Sequence, residues 1–250
     1  MAVTLLQSIK AATPAQGNNV GLSVSQTWGS TTTAGSLLIA VATGSGYFTA
    51  ATMTTAGMTW AAVGFNGFSA FGAFNSVYYC INAPSISNAT NNTFATTVGA
   101  GYLAEFTLYE FGGFGLGSFD TSVSADANFG TALQPNPGAI TVAGAGELII
   151  GTTFIQNYLG TYTNPAVNGS FAAGQLYTPF VVTNLGQYAS QVDEYLLSSS
   201  SGSNATTYSG LANDSGHLWA ATAAAFIPVA SAAAVGGGRM PVFFTGSKSG

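Results

Sequence analysis

The chain has 250 residues, 47% of them hydrophobic and 4% charged, with three basic and eight acidic side chains and a formal net charge of −5. Average soluble proteins carry about 25% charged residues, so this surface has to be covered by Ser, Thr, Asn, Gln and glycine backbone. No lysine or arginine lies between Lys10 and Arg239, which removes the basic patch that nucleic-acid phosphates require and argues against a genome-packaging shell protein.

Taken in chain order, the start from Met1 to Ser8 has neither a basic n-region nor an adequate apolar h-region, so no export signal is expected there. The first strong strand signal is Leu37-Leu38-Ile39-Ala40-Val41-Ala42. This run and Leu148-Ile149-Ile150 are short and bounded by glycine and threonine, far from the ~20 residues of a spanning helix. A membrane barrel built of ~10-residue strands would need export first, so no membrane insertion is expected. Val77-Tyr78-Tyr79-Cys80-Ile81 reads as a further strand. Its lone cysteine excludes an intramolecular disulfide and a multi-cysteine zinc site and reads as a small buried apolar residue. In the segment from Tyr102 to Phe111 the residues Tyr102, Ala104, Phe106 and Leu108 alternate with Glu105 and Thr107, which face solvent or a second layer. The five Asn-x-Ser/Thr sites, at Asn88, Asn91, Asn168, Asn204 and Asn213, read as turns. The alanine-rich stretch from Ala220 to Pro228 has helix propensity, which a repeat overrides.

That repeat appears when 34–111 is laid over 145–226. Ala34-Gly35-Ser36-Leu37-Leu38-Ile39 matches Ala145-Gly146-Glu147-Leu148-Ile149-Ile150, Asn88-Ala89-Thr90 matches Asn204-Ala205-Thr206, and Gly101-Tyr102-Leu103 through Phe111 matches Gly216-His217-Leu218 through Phe226. Ser76-Val77-Tyr78-Tyr79 likewise corresponds to the strand from Gln191 to Tyr195. The unit is too long for a solenoid. The pattern predicts an all-β, jelly-roll-like two-sheet antiparallel sandwich over 1–228, made of two pseudo-repeated halves. From 229 to 250 a C-terminal arm is expected, hinged at Gly236-Gly237-Gly238. Its Arg239-Met240-Pro241-Val242-Phe243-Phe244 is too apolar to hang in water and reads as docking on its own body or on a neighbour, against the alternative of an unstructured tail.

Two phenylalanine-glycine segments fit neither the helix nor the strand period: Phe65, Phe68, Phe71 and Phe74, and Phe114, Leu116 and Phe119. They read either as a subunit interface, since exposed apolar patches mark contacts, or as caps on the protein's own core. Trp28, Trp60 and Trp219 with eleven tyrosines, among many Asn, Gln, Ser and Thr, could form a sugar-stacking platform, although Trp60 and Trp219 sit where core residues of a sandwich would sit. His217 is the only histidine and no serine sits in a Gly-x-Ser-x-Gly motif, which argues against a catalytic triad. Glu105, Glu110, Asp120, Asp126, Asp193 and Glu194 could supply a glycosidase carboxylate pair, but no motif selects one. Asp193-Glu194 and Asn213-Asp214 lack the ligand spacing of a calcium loop. No cofactor or metal is expected.

The succession Thr33-Ala34-Gly35-Ser36-Leu37-Leu38-Ile39-Ala40, Met58-Thr59-Trp60, Val77-Tyr78-Tyr79, Ala104-Glu105-Phe106 or Tyr109-Glu110-Phe111-Gly112, Phe119-Asp120 and Gly146-Glu147-Leu148-Ile149-Ile150 resembles a group of β-sandwich proteins of bacteriophage virions, of head-decoration, fibre or tail-associated type. The resemblance spans about 3–228 through short motifs of common residues. It implies a non-enzymatic structural or adhesive role, assembly into trimers or larger homo-oligomers with other virion proteins, and location in the virion after synthesis in the host cytoplasm. The alternative is a carbohydrate-binding module or lectin that takes a surface glycan on Trp28 and Trp60.

Overall fold

The computed structural model describes residues 3–10, 23–48, 51–64, 73–96, 99–115, 117–127, 135–157, 166–167, 172–176, 180–182, 187–205, 208–209 and 217–228. Their regular structure is all β, in antiparallel sheets packed as a sandwich. The first half holds β1 (Thr4–Lys10), β2 (Ser23–Gln26), β3 (Ser36–Phe48), β4 (Ala51–Thr55), β5 (Ala61–Gly64), β6 (Ala73–Ala83), β7 (Asn92–Thr96) and β8 (Gly99–Gly112). The second holds β9 (Ser118–Ala127), β10 (Ala139–Val142), β11 (Leu148–Asn157), β12 (Ala166–Val167) and β13 (Ala172–Leu176). It continues through β14 (Phe180–Val182), β15 (Gln187–Leu197), β16 (Gly202–Ala205), β17 (Tyr208–Ser209) and β18 (His217–Ile227).

Each half contributes one large sheet. The first runs β1-β8-β3-β6-β5 and the second β9-β18-β11-β15-β13, with β14 also paired to β15. From one edge, both orders place the first strand of the half beside its last, and the last beside its third. The registers agree in detail. Ile39 stands between Tyr79 and Tyr109, and Ile150 between Tyr195 and Ala224. An extra residue bulges from the first strand of each half at the same level, Leu6 just after the Leu5–Phe111 pair and Asp120 just after the Phe119–Phe226 pair. The turn into each third strand uses a left-handed glycine, Gly35 (φ 82°) and Gly146 (φ 84°), whose amides donate to Ala83 O and Ser198 O. Only glycine takes that backbone without steric cost.

The sandwich has more layers than the sequence pattern implied. The large sheets face each other through Leu37, Ile39, Val41, Val77, Tyr109, Phe111 and Phe114 of the first half and Leu148, Ile150, Ala224 and Phe226 of the second. On the far side of the first large sheet, the small sheet β2-β7-β4 closes a second core of Val24, Trp28, Leu38, Ala40, Met53, Phe74, Phe94, Phe106 and Leu108. Beyond the second large sheet, the pair β10-β16 brings Ile140 and Val142 onto Ile149, Ala223 and Ala225. This explains the unbroken apolar run from Leu37 to Ala42: odd and even residues of β3 enter different cores, so neither face is left for polar side chains. The alanine-rich stretch is strand β18, second from the edge in a sheet covered on both faces, where small side chains let the layers approach. Glu105 and Thr107 face the second large sheet, a second layer and not solvent.

Tight packing of the two large sheets predicts a steep penalty at Gly64. A Cβ there would lie 2.6 Å from Asn75 O and 2.7 Å from Thr222 Oγ1, at a φ of 88°. Gly57, with a similar φ of 78°, has nothing within 4 Å. Gly57→Ala should cost about 1–2 kcal/mol for its backbone alone, and Gly64→Ala about 1–3 kcal/mol more for overpacking. Urea denaturation of the two variants checks the difference, and equal losses would contradict the packing described.

Candidate functional site

The side chains with unusual chemistry lie in the seam between the large sheets, at the end away from the aromatic cluster. Across the first sheet, Asn75, Thr43 and Glu105 form a cross-strand row on β6, β3 and β8. Across the second, Asp193, Thr152, Thr222 and Ser124 form another on β15, β11, β18 and β9. Side-chain hydrogen bonds stitch the rows together. Thr43 Oγ1 donates to Gln191 Oε1 at 2.8 Å, while Gln191 Nε2 donates to Thr107 Oγ1 at 3.0 Å and to Asp193 Oδ2 at 2.8 Å. Tyr109 O–H donates to the same Asp193 oxygen at 2.5 Å, and Asn75 Nδ2 donates to Thr152 Oγ1 at 3.3 Å. Thr222 Oγ1 closes the set on the Asn75 carbonyl at 3.2 Å.

Glu105 and Asp193 are both fully buried. Neither oxygen of Glu105 has a hydrogen-bond partner of good geometry, and Asp193 Oδ1 has none. Burial therefore pushes the Glu105 carboxyl well above the usual carboxylate range, and the nearby Asp193 charge pushes it further. Lys10 and the Gln191 amide pull weakly the other way. Burial raises Asp193 to about 6, against the hydrogen bonds it accepts from Thr152, Tyr109 and Gln191. On the opposite face of β15, Glu194 is raised to about 8 by burial and then by Asp193.

The remaining acids serve the loops. Glu110 accepts from Gln7 Nε2 (2.6 Å), Thr33 N (2.6 Å) and Ser36 Oγ (2.9 Å), pinning the turn into β3. In the second half the corresponding turn is held by Glu147, which accepts from Gly144 N at 2.6 Å. Burial raises the Glu147 carboxyl, the Gly144 amide lowers it and the neighbouring Asp120 raises it again. None of these acids forms a group of three metal-ligating side chains among the described residues.

Of the residues singled out from sequence, Phe74 and Phe114 are corrected from interface to core. Phe74 stacks on Phe94 at a centroid distance of 5.7 Å, and Phe114 lies in the seam cluster. Phe74 is the second residue of β6 and Phe114 lies two residues past β8, and both are fully buried. Phe119 packs on Tyr79 and Phe226. Trp28 is 2% exposed within the outer core, so its ring offers no face to a sugar. Trp60 is half-buried against the same core, and its indole N–H donates to Thr55 Oγ1 at 3.1 Å. Cys80 is half-buried in β6. Phe65, Phe68, Phe71, Leu116 and the arm residues Arg239, Met240, Pro241, Val242, Phe243 and Phe244 lie outside the described residues.

Of the carboxylates weighed from sequence, the fold brings Glu105 near Asp193, a pair sealed from any substrate, and sets Asp120 beside Glu147, which was not among the candidates. Sequence reasoning assigned no site role to Thr43, Asn75, Thr107, Tyr109, Thr152, Gln191 or Thr222. Their signal was polar residues at inward positions of otherwise apolar strands. Comparison with protein-family models, with curated proteins and with solved structures gives no match.

The acids in and around the seam predict a stability that falls with rising pH. A carboxyl raised in the folded state binds its proton more tightly there than in the unfolded chain. Its contribution is complete below the ordinary carboxylate pKa of about 4 and is lost as pH rises through the folded value. The window set by Asp193 and Glu194 runs from about pH 4 to pH 8. Asp193 alone should contribute on the order of 3 kcal/mol, lowering Tm by roughly 10 °C. Calorimetry from pH 4.5 to 8.5 should show that decline, and Glu194→Gln should flatten its alkaline part.

Proposed function

We propose that this chain is a non-enzymatic structural subunit of a bacteriophage particle, a head-decoration or fibre-like protein that assembles with its own copies and with other virion proteins. The observation that carries the reading is the fate of the charged groups. Of the eight acids, Glu105, Glu110, Glu147, Asp193 and Glu194 are buried, and Asp120 and Asp126 are half-buried. The described surface is left almost free of charge, with Lys10 as an exposed exception. Repulsion between like-charged surfaces is what ordinarily keeps soluble proteins apart. A surface without it suits a protein whose working state is in contact with neighbours.

The strand order adds support. First, last, third and sixth strands lie side by side in the first large sheet, with a smaller sheet of second, seventh and fourth strands over it. We read this order as jelly-roll-like, with β5 added to the larger sheet, and the jelly roll is an architecture of capsid and lectin domains. We read the chain as two such units in tandem, packed through their larger sheets. The architecture alone does not separate shell from lectin. The buried Trp28 ring and the engaged Trp60 indole take support from the glycan reading. Among the described residues only Leu6 and Leu197 are large, apolar and exposed, so the reading assigns apolar self-association to Phe65, Phe68, Phe71 and the 239–244 segment, which lie outside the described residues.

Light scattering after size-exclusion chromatography tests this on the full chain and on a truncation ending at Pro228. The expected result is a discrete oligomer for the full chain that loses subunits on truncation. A monomer in both cases would remove the proposed role.

A further inference from the structure

No strand of one large sheet pairs with a strand of the other. Among the described residues the two are held by face-to-face contact, and that contact has two different ends. At one end Leu37, Ile39, Phe111 and Phe114 meet Leu148, Ile150 and Phe226. At the other, the polar rows bond through Gln191, Asp193, Tyr109 and Asn75, with the Glu105 carboxyl enclosed and unpartnered. Each sheet keeps its own second core when the seam is disturbed, since β2-β7-β4 covers one and β10-β16 the other.

We infer that the seam is a proton-controlled joint: with protons on Glu105 and Asp193 its polar end stays closed, and loss of those protons opens that end about the apolar one. The groups facing the pair make this direction unavoidable. β8 brings Glu105 and Tyr109, and β15 brings Asp193. β9 brings Asp126, opposite Ala220 and two residues beyond the Ser124 that contacts Thr222. β6 and β15 add Tyr79 and Tyr195 at the apolar end. β3, β11 and β18 present Thr43, Thr152 and Thr222, which do not ionise near neutrality. Among the described residues the one cation that acts on Glu105 is Lys10 of β1, opposite Thr107 and exposed. A second buried negative charge in such a place has no counter-ion, and hydration is the available relief. Opening admits water without breaking a strand ladder.

The joint stands on the seam alone and is independent of the virion reading. The test places a thiol at the polar end of the full chain, Thr152→Cys on a Cys80→Ser background, with Ala224→Cys as the apolar-end counterpart. Alkylation by iodoacetamide is measured from pH 6 to pH 9 and divided by the rate for free cysteine at each pH, which removes the thiolate chemistry. The corrected rate at Thr152→Cys should rise at least tenfold and outpace that at Ala224→Cys. Adding Glu105→Gln, which mimics the protonated acid, should hold it flat. A rate at Thr152→Cys that does not rise, that rises equally with Glu105→Gln present, or that rises in step with Ala224→Cys would overturn the joint. If circular dichroism shows that Thr152→Cys does not fold, Thr43→Cys in the polar row of the facing sheet gives the same readout.

Discussion

Burying acids without bases is the constraint on which the rest of this structure turns. A chain with no lysine or arginine between Lys10 and Arg239 cannot neutralise an interior carboxylate with an ion pair there. Glu110 is held by three neutral donors, which replace the hydrogen bonds lost from water on burial. Glu105 has no hydrogen-bond partner of good geometry, and burial holds its carboxyl well above the usual range against the Gln191 amide, so its solution is the proton. Asp193 lies between the two, with Tyr109 and Gln191 donating to one oxygen and the Thr152 hydroxyl also holding its carboxyl down against burial. The gradation from Glu110 to Glu105 is a gradation in the supply of N–H and O–H groups within reach.

The two halves show how the same backbone problem admits different chemistry. Both turn into their third strand through a left-handed glycine bonded to a carbonyl of the facing strand. In the first half the carboxylate that steadies this turn comes from β8, as Glu110, and Ser36 donates to it. In the second, the β8-like position is Ala225 and the Ser36-like position is Glu147, so the carboxylate has moved from the last strand to the start of the third. The bulge that leaves Leu6 exposed in the first half puts Asp120 beside Glu147 in the second. A bulge is a conserved means of re-aiming one side chain, and here one geometric device delivers a surface leucine in one half and a second acid in the other.

Much of this fold was legible because strand signals and the repeated landmarks agreed. Leu37-Leu38-Ile39 and Leu148-Ile149-Ile150 begin the third strand of each half, and the strand reading of Ala220 to Phe226 followed from its partner in spite of alanine's helix propensity. The number of layers was harder to see. An apolar run in β3 is compatible with a buried strand in any architecture, and nothing in it names the short strands β2, β4, β7, β10 and β16 that supply the outer covers. Phe74 and Phe114 were read as one of two possibilities because glycine-rich surroundings give no period; the ends of β6 and β8 decide for the core. The seam was legible only in part. The alternation at Glu105 and Thr107 put them on one face, but which sheet that face meets depends on a packing more than eighty residues away in sequence, at Gln191 and Asp193.

The uncharged surface and the acid-bearing interior are one economy viewed from two sides. An acid placed outside costs nothing in desolvation but adds repulsion between copies; an acid placed inside removes the repulsion and makes closure depend on a proton or a donor. With five of eight acids inside, the chain takes the second course almost throughout. Lysine partners could have neutralised these groups without that dependence, yet a buried lysine brings its own desolvation cost, and breaking such a pair is strongly destabilising. Protonated and hydrogen-bonded acids avoid both penalties at mildly acidic pH. The liability that remains is confined by the architecture to the polar end of the seam, where opening breaks side-chain bonds and leaves every strand ladder intact.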